Sequence, residues 1–362
     1  MSIDDVTGID AAISPAAERV RSNKITAGFT PGRFALRDTW FPVVHSTLLG
    51  RRPVRRSIHG EPIYLVREDG VAVAYEDSPQ DRERGRLRAS EFTAGSGRWP
   101  SHETHGYVWV WYGNNDTASI DLLPHLPVLP TAGMPRYFGG NVVFDCSYEL
   151  ICENLLDLTH FDFLHSTLTG DPLSEQDEVT VSSTSETVTQ VRRASNRAVP
   201  KGQKWFVRGK SQDLVASTIM HVRSGVCVLN VDFDPGVDVH MVHPCTPESP
   251  YRTRTNYTFN PQHCSRPARY LFPTAAHLIG SQDNYATKPQ NKLYQTERSA
   301  VPDMNSRFDA AGLRYRKVYQ ELVDRQTKGD FSYHDDGHPG RDVRKELDLD
   351  RTRRGGRTNA RA

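Results

Sequence analysis

The segment from Glu153 to His165 constrains this chain more than any other part of its sequence. It combines carboxylates, two histidines and apolar residues in one stretch with helical periodicity. His160 and His165 lie five positions apart, which separates them by roughly 140° around a regular α-helix. The two imidazoles can therefore reach one metal ion only if the helix ends or bulges near them. The stretch 166–170, Ser-Thr-Leu-Thr-Gly, offers such an end.

Two imidazoles and one carboxylate that leave open coordination positions form the ligand set typical of non-haem Fe(II) oxygenases. Asp157 precedes His160 by three residues and shares its helix face. The alternative is that both histidines only pack or form hydrogen bonds near a helix end. The spacing leaves both interpretations open.

The spacing of hydrophobic residues predicts strands in some parts of the chain and helices in others. Ile63–Val66 and Val71–Tyr75 flank a turn and predict a β-hairpin, and Tyr107–Tyr112 predicts the last strand of a small all-β domain. After a proline-rich linker, residues 178–260 predict a curved antiparallel sheet. Residues 267–298 and 303–327 predict helices, the first of them interrupted near Pro289. The fold class is therefore α+β.

The motif Asn154-Leu-Leu-Asp157-Leu-Thr-His160-x4-His165 resembles the mononuclear-iron motif of Rieske-type ring-hydroxylating oxygenases, large subunit, in the vanillate and dicamba O-demethylase branch. Residues 39–76, 106–113 and 306–316 also resemble segments of that family. The resemblance implies a small Rieske-like β domain followed by a larger helix-grip-like domain. The expected divisions are an arm at 1–35, the β domain at 36–116, the iron domain at 117–330 and a charged, flexible tail at 331–362.

The resemblance also implies roles for individual residues. His160 and His165 would be iron ligands, and Asp157 would receive an electron from a neighbouring subunit and form a hydrogen bond to the first histidine. The third ligand would be Asp283, on a later helix, although a surface aspartate is the alternative for that residue. Lys288 and Pro289 depart from the family pattern there. Phe161 and Leu164 lie between the histidines and are the predicted substrate-binding residues.

The β domain lacks the residues that would hold a [2Fe–2S] cluster. Rieske proteins use two cysteines and two histidines for this purpose, yet the first cysteine of the chain is Cys146, beyond the domain. His102 and His105 are the only histidine pair near the closing strand, and we expect them at the surface. The expected cofactor is one Fe(II) per chain without a cluster. Electrons would then come from a Rieske-containing partner subunit or a reductase, in a trimer-type and possibly hetero-oligomeric assembly.

Three functions are compatible with these features. The first is an oxygenase subunit that hydroxylates or demethylates a small organic, aromatic or alicyclic substrate. The second is an iron enzyme that needs no external electrons, and the third is a non-catalytic subunit of an oxygenase complex. Near-neutral charge argues against a nucleic-acid partner. Five unpatterned cysteines and the absence of a long apolar run predict a cytoplasmic protein without a membrane span.

The remaining histidines and aromatic residues carry weaker indications. His240 and His243 would point to opposite faces of a strand, so a second metal site is not predicted there. We expect His221, His263 and His277 to be structural. Four aromatic residues could line the substrate pocket or belong to the core: Trp205, Phe206, Tyr257 and Phe259.

Overall fold

Two small antiparallel sheets form the N-terminal β region, residues 39–112, of this computed structural model. The structure describes residues 20–21, 31–78, 83, 97–134, 139–165, 174–199, 204, 207, 209–261, 268–296 and 304–349. The first two described residues form strand β1 (Val20–Arg21), which pairs with a late strand, β17 (Met304–Asn305). The strands of the two sheets are β2 (Thr39–His45), β3 (Val54–Ile58), β4 (Glu61–Glu68), β5 (Val71–Glu76), β6 (Arg98–Trp99), β7 (Ser101–Thr104) and β8 (Tyr107–Tyr112).

Strand β8 joins the β region to the rest of the molecule. All six of its residues are buried, and their side chains alternate between two cores, as the two-residue period of a strand requires. Val108, Val110 and Tyr112 pack inside the β region. Tyr107, Trp109 and Trp111 pack in a second cluster that includes strands of the C-terminal unit.

A larger antiparallel sheet forms the core of the C-terminal unit, residues 139–349. Its strand order in the described residues is β10-β11-β12-β13-β14-β15-β9, with β16 paired to β14. One face carries Val191 and Ile219 and packs towards the β region, while the other carries Val188 and Met220 and packs against helices. The strands are β9 (Val142–Phe144), β10 (Glu178–Ser183), β11 (Thr187–Ala198), β12 (Ser211–His221), β13 (Val226–Asp234), β14 (Val239–Ser249), β15 (Arg252–Thr255) and β16 (Thr258–Phe259).

Helices cover the second face of this sheet, which confirms the predicted α+β fold. The described α-helices are α1 (Tyr148–Leu156), α2 (His160–Leu164), α3 (Ala268–Thr296), α4 (Ala310–Thr327) and α5 (Val343–Glu346). Apolar residues of α1 and α4, such as Ile151 and Val318, share one core cluster with the sheet residues Met220 and Cys227. None of the helices in the described ranges is long and apolar enough to cross a membrane.

Two expectations about helices and tail are wrong. Helix α3 runs through Pro289 without interruption and also contains Pro273. Proline at 289 removes the hydrogen bond to the carbonyl of residue 285, and its ring crowds that carbonyl. Tyr285 is exposed, so its carbonyl can tilt outwards and bond to water instead.

The segment 331–349 is packed rather than a loose tail. Val343 and Leu349 are buried in the cluster shared with the β region, and the Tyr333 hydroxyl donates to the carbonyl of Asp38. The remaining tail residues, 350–362, lie outside the described residues.

Candidate metal centre

A turn between α1 and α2 positions the first histidine. Helix α1 ends at Leu156, and Asp157 has extended backbone angles. The Asp157 carboxylate accepts hydrogen bonds from the backbone N–H groups of Thr159, at 2.7 Å, and His160, at 3.1 Å. Such local side-chain bonds favour a turn over a continuous helix. The interruption therefore precedes His160, and the predicted end at 166–170 lies outside the described residues.

The end of α2 positions the second histidine. His165 follows the last helical residue with a φ of −112° and a ψ of 30°, which are not helical angles. This change of backbone direction offsets the angular separation that a five-residue spacing would impose. The centroids of the His160 and His165 rings lie 5.3 Å apart.

Helix α3 brings Asp283 to the two imidazoles. Its Oδ1 atom lies 3.1 Å from His165 Nε2 and 3.5 Å from His160 Nε2. One ligand atom from each of the three residues falls within 4.8 Å of the others. His165 and Asp283 are buried, whereas the side chain of His160 remains 19% exposed. The group is thus enclosed on one side and accessible on the other.

Outer contacts orient all three side chains. His160 Nδ1 contacts the carbonyl oxygen of Asp157, and His165 Nδ1 lies 2.7 Å from Gln282 Oε1. An oxygen acceptor at Nδ1 holds the proton there and leaves the Nε2 lone pair for a metal. Asn154 Nδ2 donates to Asp283 Oδ1 at 3.0 Å. Asn154 and Gln282 stand in the segments that the sequence singled out, but no role was predicted for them.

The electrostatics of the group favour a cation. Burial would raise the pKa of Asp283, but its hydrogen bonds to His160 and His165 outweigh burial and hold the pKa well below its ordinary value. Burial would lower the pKa of His160, yet the Asp283 hydrogen bond and the charges of Asp157 and Asp283 raise it. A carboxylate facing two Nε2 atoms is therefore a place where a proton or a metal ion is stabilised. The donor set fits a divalent transition metal.

The resemblance implies a hydrogen bond between Asp157 and His160, and in the structure both the main chain and the side chain of Asp157 contact that histidine. Its carbonyl oxygen meets the imidazole, and its carboxylate binds the backbone N–H of His160. The side chain therefore shapes the turn, while the main chain fixes the ring.

Side chains of strand β11 form hydrogen bonds and ion pairs with the turn and with α2. Gln190 Oε1 accepts from the backbone N–H of Leu158 at 2.6 Å, and Arg192 donates to the Leu158 carbonyl at 3.1 Å. Arg192 and Arg197 also form ion pairs with Asp162 of α2 and with Asp177. All four charged side chains are at most 9% exposed, so the pairs neutralise one another within the protein.

The two predicted substrate-binding residues are half-buried beside the histidines. The Phe161 ring lies 4.9 Å from the His165 ring, edge to face. Tyr257 and Phe259 belong to the core cluster on the helix-covered face of the sheet. Trp205 and Phe206 lie outside the described residues.

His243 also faces this region, which the sequence did not reveal. Burial lowers the pKa of His243 to about 4, and the charge of Asp283 acts against that shift. Its Nε2 atom has no hydrogen-bond partner among the described residues. His243 lies two residues after Met241 on β14, so both side chains project from the helix-covered face of the sheet.

Comparison with known proteins identifies the family. Residues 144–325, half of the chain, match the model of the vanillate O-demethylase oxygenase C-terminal domain. The chain belongs to this family of Rieske-type oxygenases. It is 38% identical over 84 residues to a vanillate O-demethylase oxygenase subunit from a Pseudomonas species, covering 23% of this chain and 25% of that protein. It is 25% identical over 162 residues to the dicamba O-demethylase oxygenase component of Stenotrophomonas maltophilia, covering 36% and 48%.

A crystal structure of dicamba monooxygenase bound to 3,6-dichlorosalicylic acid has the same fold. The TM-score is 0.67 at 16% identity, and the match covers 81% of this chain and 98% of that one. Another structure of dicamba monooxygenase contains non-haem iron and dicamba. The curated relatives are matched over only 25% to 48% of their own lengths.

Proposed function

We propose that this chain is a mononuclear non-haem Fe(II) oxygenase subunit that hydroxylates or demethylates a small organic substrate, of aromatic or alicyclic character. The observation that carries the proposal is the convergence of His160, His165 and Asp283, with an acceptor behind each histidine Nδ1. Membership of the vanillate O-demethylase oxygenase family supports the reaction class. Iron bound by these three residues would supply binding and reductive activation of O2 at its open positions.

The protein's own contribution to such chemistry is orientation and exclusion of water. Asp157 and Gln282 fix the rings so that both Nε2 atoms face Asp283. Asn154 holds one carboxylate oxygen of Asp283. The buried ion pairs of Arg192 anchor α2 on the sheet. A rigid ligand set of this kind needs little rearrangement when the metal binds.

The helix-covered sheet face supplies an apolar surface beside the histidines. Thr218 donates to the Leu156 carbonyl at 2.9 Å and so marks where the sheet meets the site segment. Its register neighbours along that face are Leu229, Met241 and Phe259. We propose that these residues, with Phe161 and Leu164, enclose the organic substrate. His243, kept neutral by burial, can exchange a hydrogen bond with a polar substituent of that substrate.

We further propose that the chain has no [2Fe–2S] cluster and depends on a Rieske-containing partner or a reductase for electrons. No cysteine precedes Cys146 in the sequence. Two β-region histidines are also engaged in packing: His45 stacks on Tyr107, and His59 packs against Phe41, Tyr112 and Tyr148. The dicamba relative is named as one component of its system, and Asp157, beside His160, is the proposed point where the electron arrives. The assembly would be a trimer-type ring that can contain unlike subunits.

The absence of cysteines from the β region also favours a second candidate, a non-catalytic subunit of an oxygenase complex. An iron enzyme that needs no external electrons is the third possibility. We place the protein in the cytoplasm, because four buried cysteines are unpaired and fit a reducing compartment: Cys146, Cys152, Cys227 and Cys245.

The experiment that tests the proposal is co-expression with a Rieske-type oxygenase component, followed by size-exclusion chromatography and turnover of aromatic ethers and acids. We expect co-purification and O2-dependent product formation that requires the partner and a reductant. His165→Ala should abolish turnover, and His277→Ala, an exposed histidine on α3, should leave it unchanged. Turnover without the partner would favour the self-sufficient enzyme. Unchanged complex activity in His165→Ala would favour the non-catalytic subunit.

A further inference from the structure

The end of the β13–β14 hairpin carries a second group of possible metal ligands. Asp232, Asp238 and His240 each place one ligand atom within 4.8 Å of the other two. His240 Nε2 lies 2.7 Å from Asp232 Oδ1, and Asp238 Oδ1 accepts a hydrogen bond from the backbone N–H of Phe233 at 3.1 Å. All three residues are partly buried. A hydrogen-bonded turn therefore holds these groups close together.

Asn230 provides an independent indication that something binds there. It is 1% exposed, and within the described part of the chain neither its Oδ1 nor its Nδ2 has a hydrogen-bond partner. Asn230 is the direct cross-strand partner of His240, so the two side chains project from the same face of the sheet. Asp232, two residues further along β13, shares that face. A buried amide with no partner for either polar atom is rare in native proteins. This one shares its sheet face with His240 and Asp232, two of the possible metal ligands.

This group lies on the opposite side of the sheet from the candidate iron site. Thr218, which bonds the site segment, is paired with Leu229. Leu229 is adjacent to Asn230, and adjacent residues of a strand point to opposite faces. The ladder from β11 to β14 has no register shift at these positions. A metal ion at the hairpin would therefore be separate from the one held by His160, His165 and Asp283.

We propose that Asp232, Asp238 and His240, with the Asn230 amide oxygen, form a second divalent-cation site. One imidazole nitrogen, two carboxylates and an amide oxygen suit Zn²⁺, Mn²⁺ or Co²⁺ better than Ca²⁺, which prefers oxygen ligands only. The two carboxylates balance the charge of the ion, and Asn230 gains the partner it lacks. The bound ion would tie the end of β13 to the start of β14.

The test is titration of the metal-free protein with Co²⁺ and Zn²⁺ by calorimetry and Co²⁺ absorbance. The His165→Ala background removes the candidate iron site, so this test needs no oxygenase activity. We expect about one equivalent to bind in His165→Ala and none in the double variant with Asp232→Asn. Asn230→Ala should weaken binding about 10-fold. Asp213→Asn is the matched control and should bind like its parent, because Asp213 is an exposed carboxylate that accepts a hydrogen bond from the Asn196 backbone.

Three results would overturn the proposal: no metal bound by His165→Ala, stoichiometric binding retained after Asp232→Asn, or an equal loss in the Asp213→Asn control. Circular dichroism melting checks that each variant is folded. If Asp232→Asn does not fold, His240→Gln replaces it with the same expectation. Failure of the iron site itself would look different, because wild type and His165→Ala would then bind the same amount of metal.

Discussion

The β region and the C-terminal unit differ in how they use their polar residues. In the β region, strand β8 contributes six buried residues to two cores. His45 and His59 of that region pack against aromatic rings. In the C-terminal unit, two histidines and a carboxylate converge, and four buried charges support them. Among the residues described, both groups that could hold a metal lie in the C-terminal unit.

The difference shows that a fold and its chemistry are specified by different residues. Among the described residues, the core of the two β sheets is built from apolar and aromatic side chains such as Phe41, Val108 and Tyr112. The structural match to dicamba monooxygenase covers 81% of this chain and so extends beyond the C-terminal unit. The β region therefore lies within a shared architecture, although the sequence has no cysteine before Cys146.

The largest effect on stability is expected where the C-terminal unit buries charge beneath the site. Among the described residues, Arg192→Met leaves Asp162 and Asp177 paired with Arg197 alone, and we expect a loss of about 3–5 kcal/mol in the free energy of unfolding. Urea denaturation measures it. Lys288→Met removes an exposed ion pair with Asp145 and should cost less than about 1 kcal/mol. Equal effects of the two substitutions would contradict the distinction.

The C-terminal unit is expected to respond to pH through Glu149, a buried residue of α1. Burial raises the pKa of Glu149 to about 7, against the opposing effect of hydrogen bonds from Tyr319 and Gly32. The folded state then holds the proton more tightly than the unfolded chain, so stability falls as pH rises from about 4.5 to 7 and then levels off.

Glu149→Gln should remove this contribution, which amounts to about 3 kcal/mol, and should make the variant more stable than wild type at pH 8 but not at pH 4.5. Denaturation at both pH values measures it. Glu321→Gln, at an exposed position of α4, should follow the wild-type pH profile. A Glu149→Gln variant that also follows it would show that the carboxyl is ionised in the fold.

A smaller effect is expected at the residues that orient the ligands. Asn154→Ala removes the hydrogen bond to Asp283 Oδ1 and should weaken Fe(II) binding about 10- to 100-fold. Anaerobic Fe(II) titration measures it. Asn284→Ala is the control, because Asn284 neighbours Asp283 but bonds the backbone of Asp145 at the surface. Unchanged affinity in Asn154→Ala would mean that Asp283 is oriented without it.

The smallest effect is expected in the β region itself. The Tyr107 hydroxyl donates to Thr258 Oγ1 across the junction, and Tyr107→Phe should cost about 1 kcal/mol of stability without altering metal content. Thermal unfolding and metal analysis measure the two quantities. Tyr251→Phe, at an exposed position, should change neither. Loss of metal from Tyr107→Phe would show that the two regions are more tightly coupled than we infer.

The sequence predicted the fold well where local periodicity is strong. The hairpin at 63–75 is confirmed as β4 and β5, and Tyr107–Tyr112 is confirmed as a strand. It failed at Pro289, because water at a surface position can replace the hydrogen bond that proline removes. It also failed at 331–349, where Val343 and Leu349 find a buried position that composition does not reveal.

The candidate site was predictable only in part. The spacing of His160 and His165 requires an irregular helix, but the turn at Asp157 depends on hydrogen bonds that spacing does not encode. Asp283 came from the resemblance alone, since it lies more than a hundred residues from the histidines. Gln190 and Arg192 support the site from 32 and 34 residues beyond Leu158, and no local pattern connects them to it.

Iron and acid-labile sulfide analysis of protein produced in iron-rich medium, with an absorbance spectrum, tests the central claim most directly. We predict about one iron per chain, no labile sulfide and no visible Rieske bands, and loss of that iron in His165→Ala. Additional iron accompanied by sulfide would contradict the claim by showing a cluster in the β region. A wild-type protein without iron would contradict it by showing that His160, His165 and Asp283 do not form an iron site.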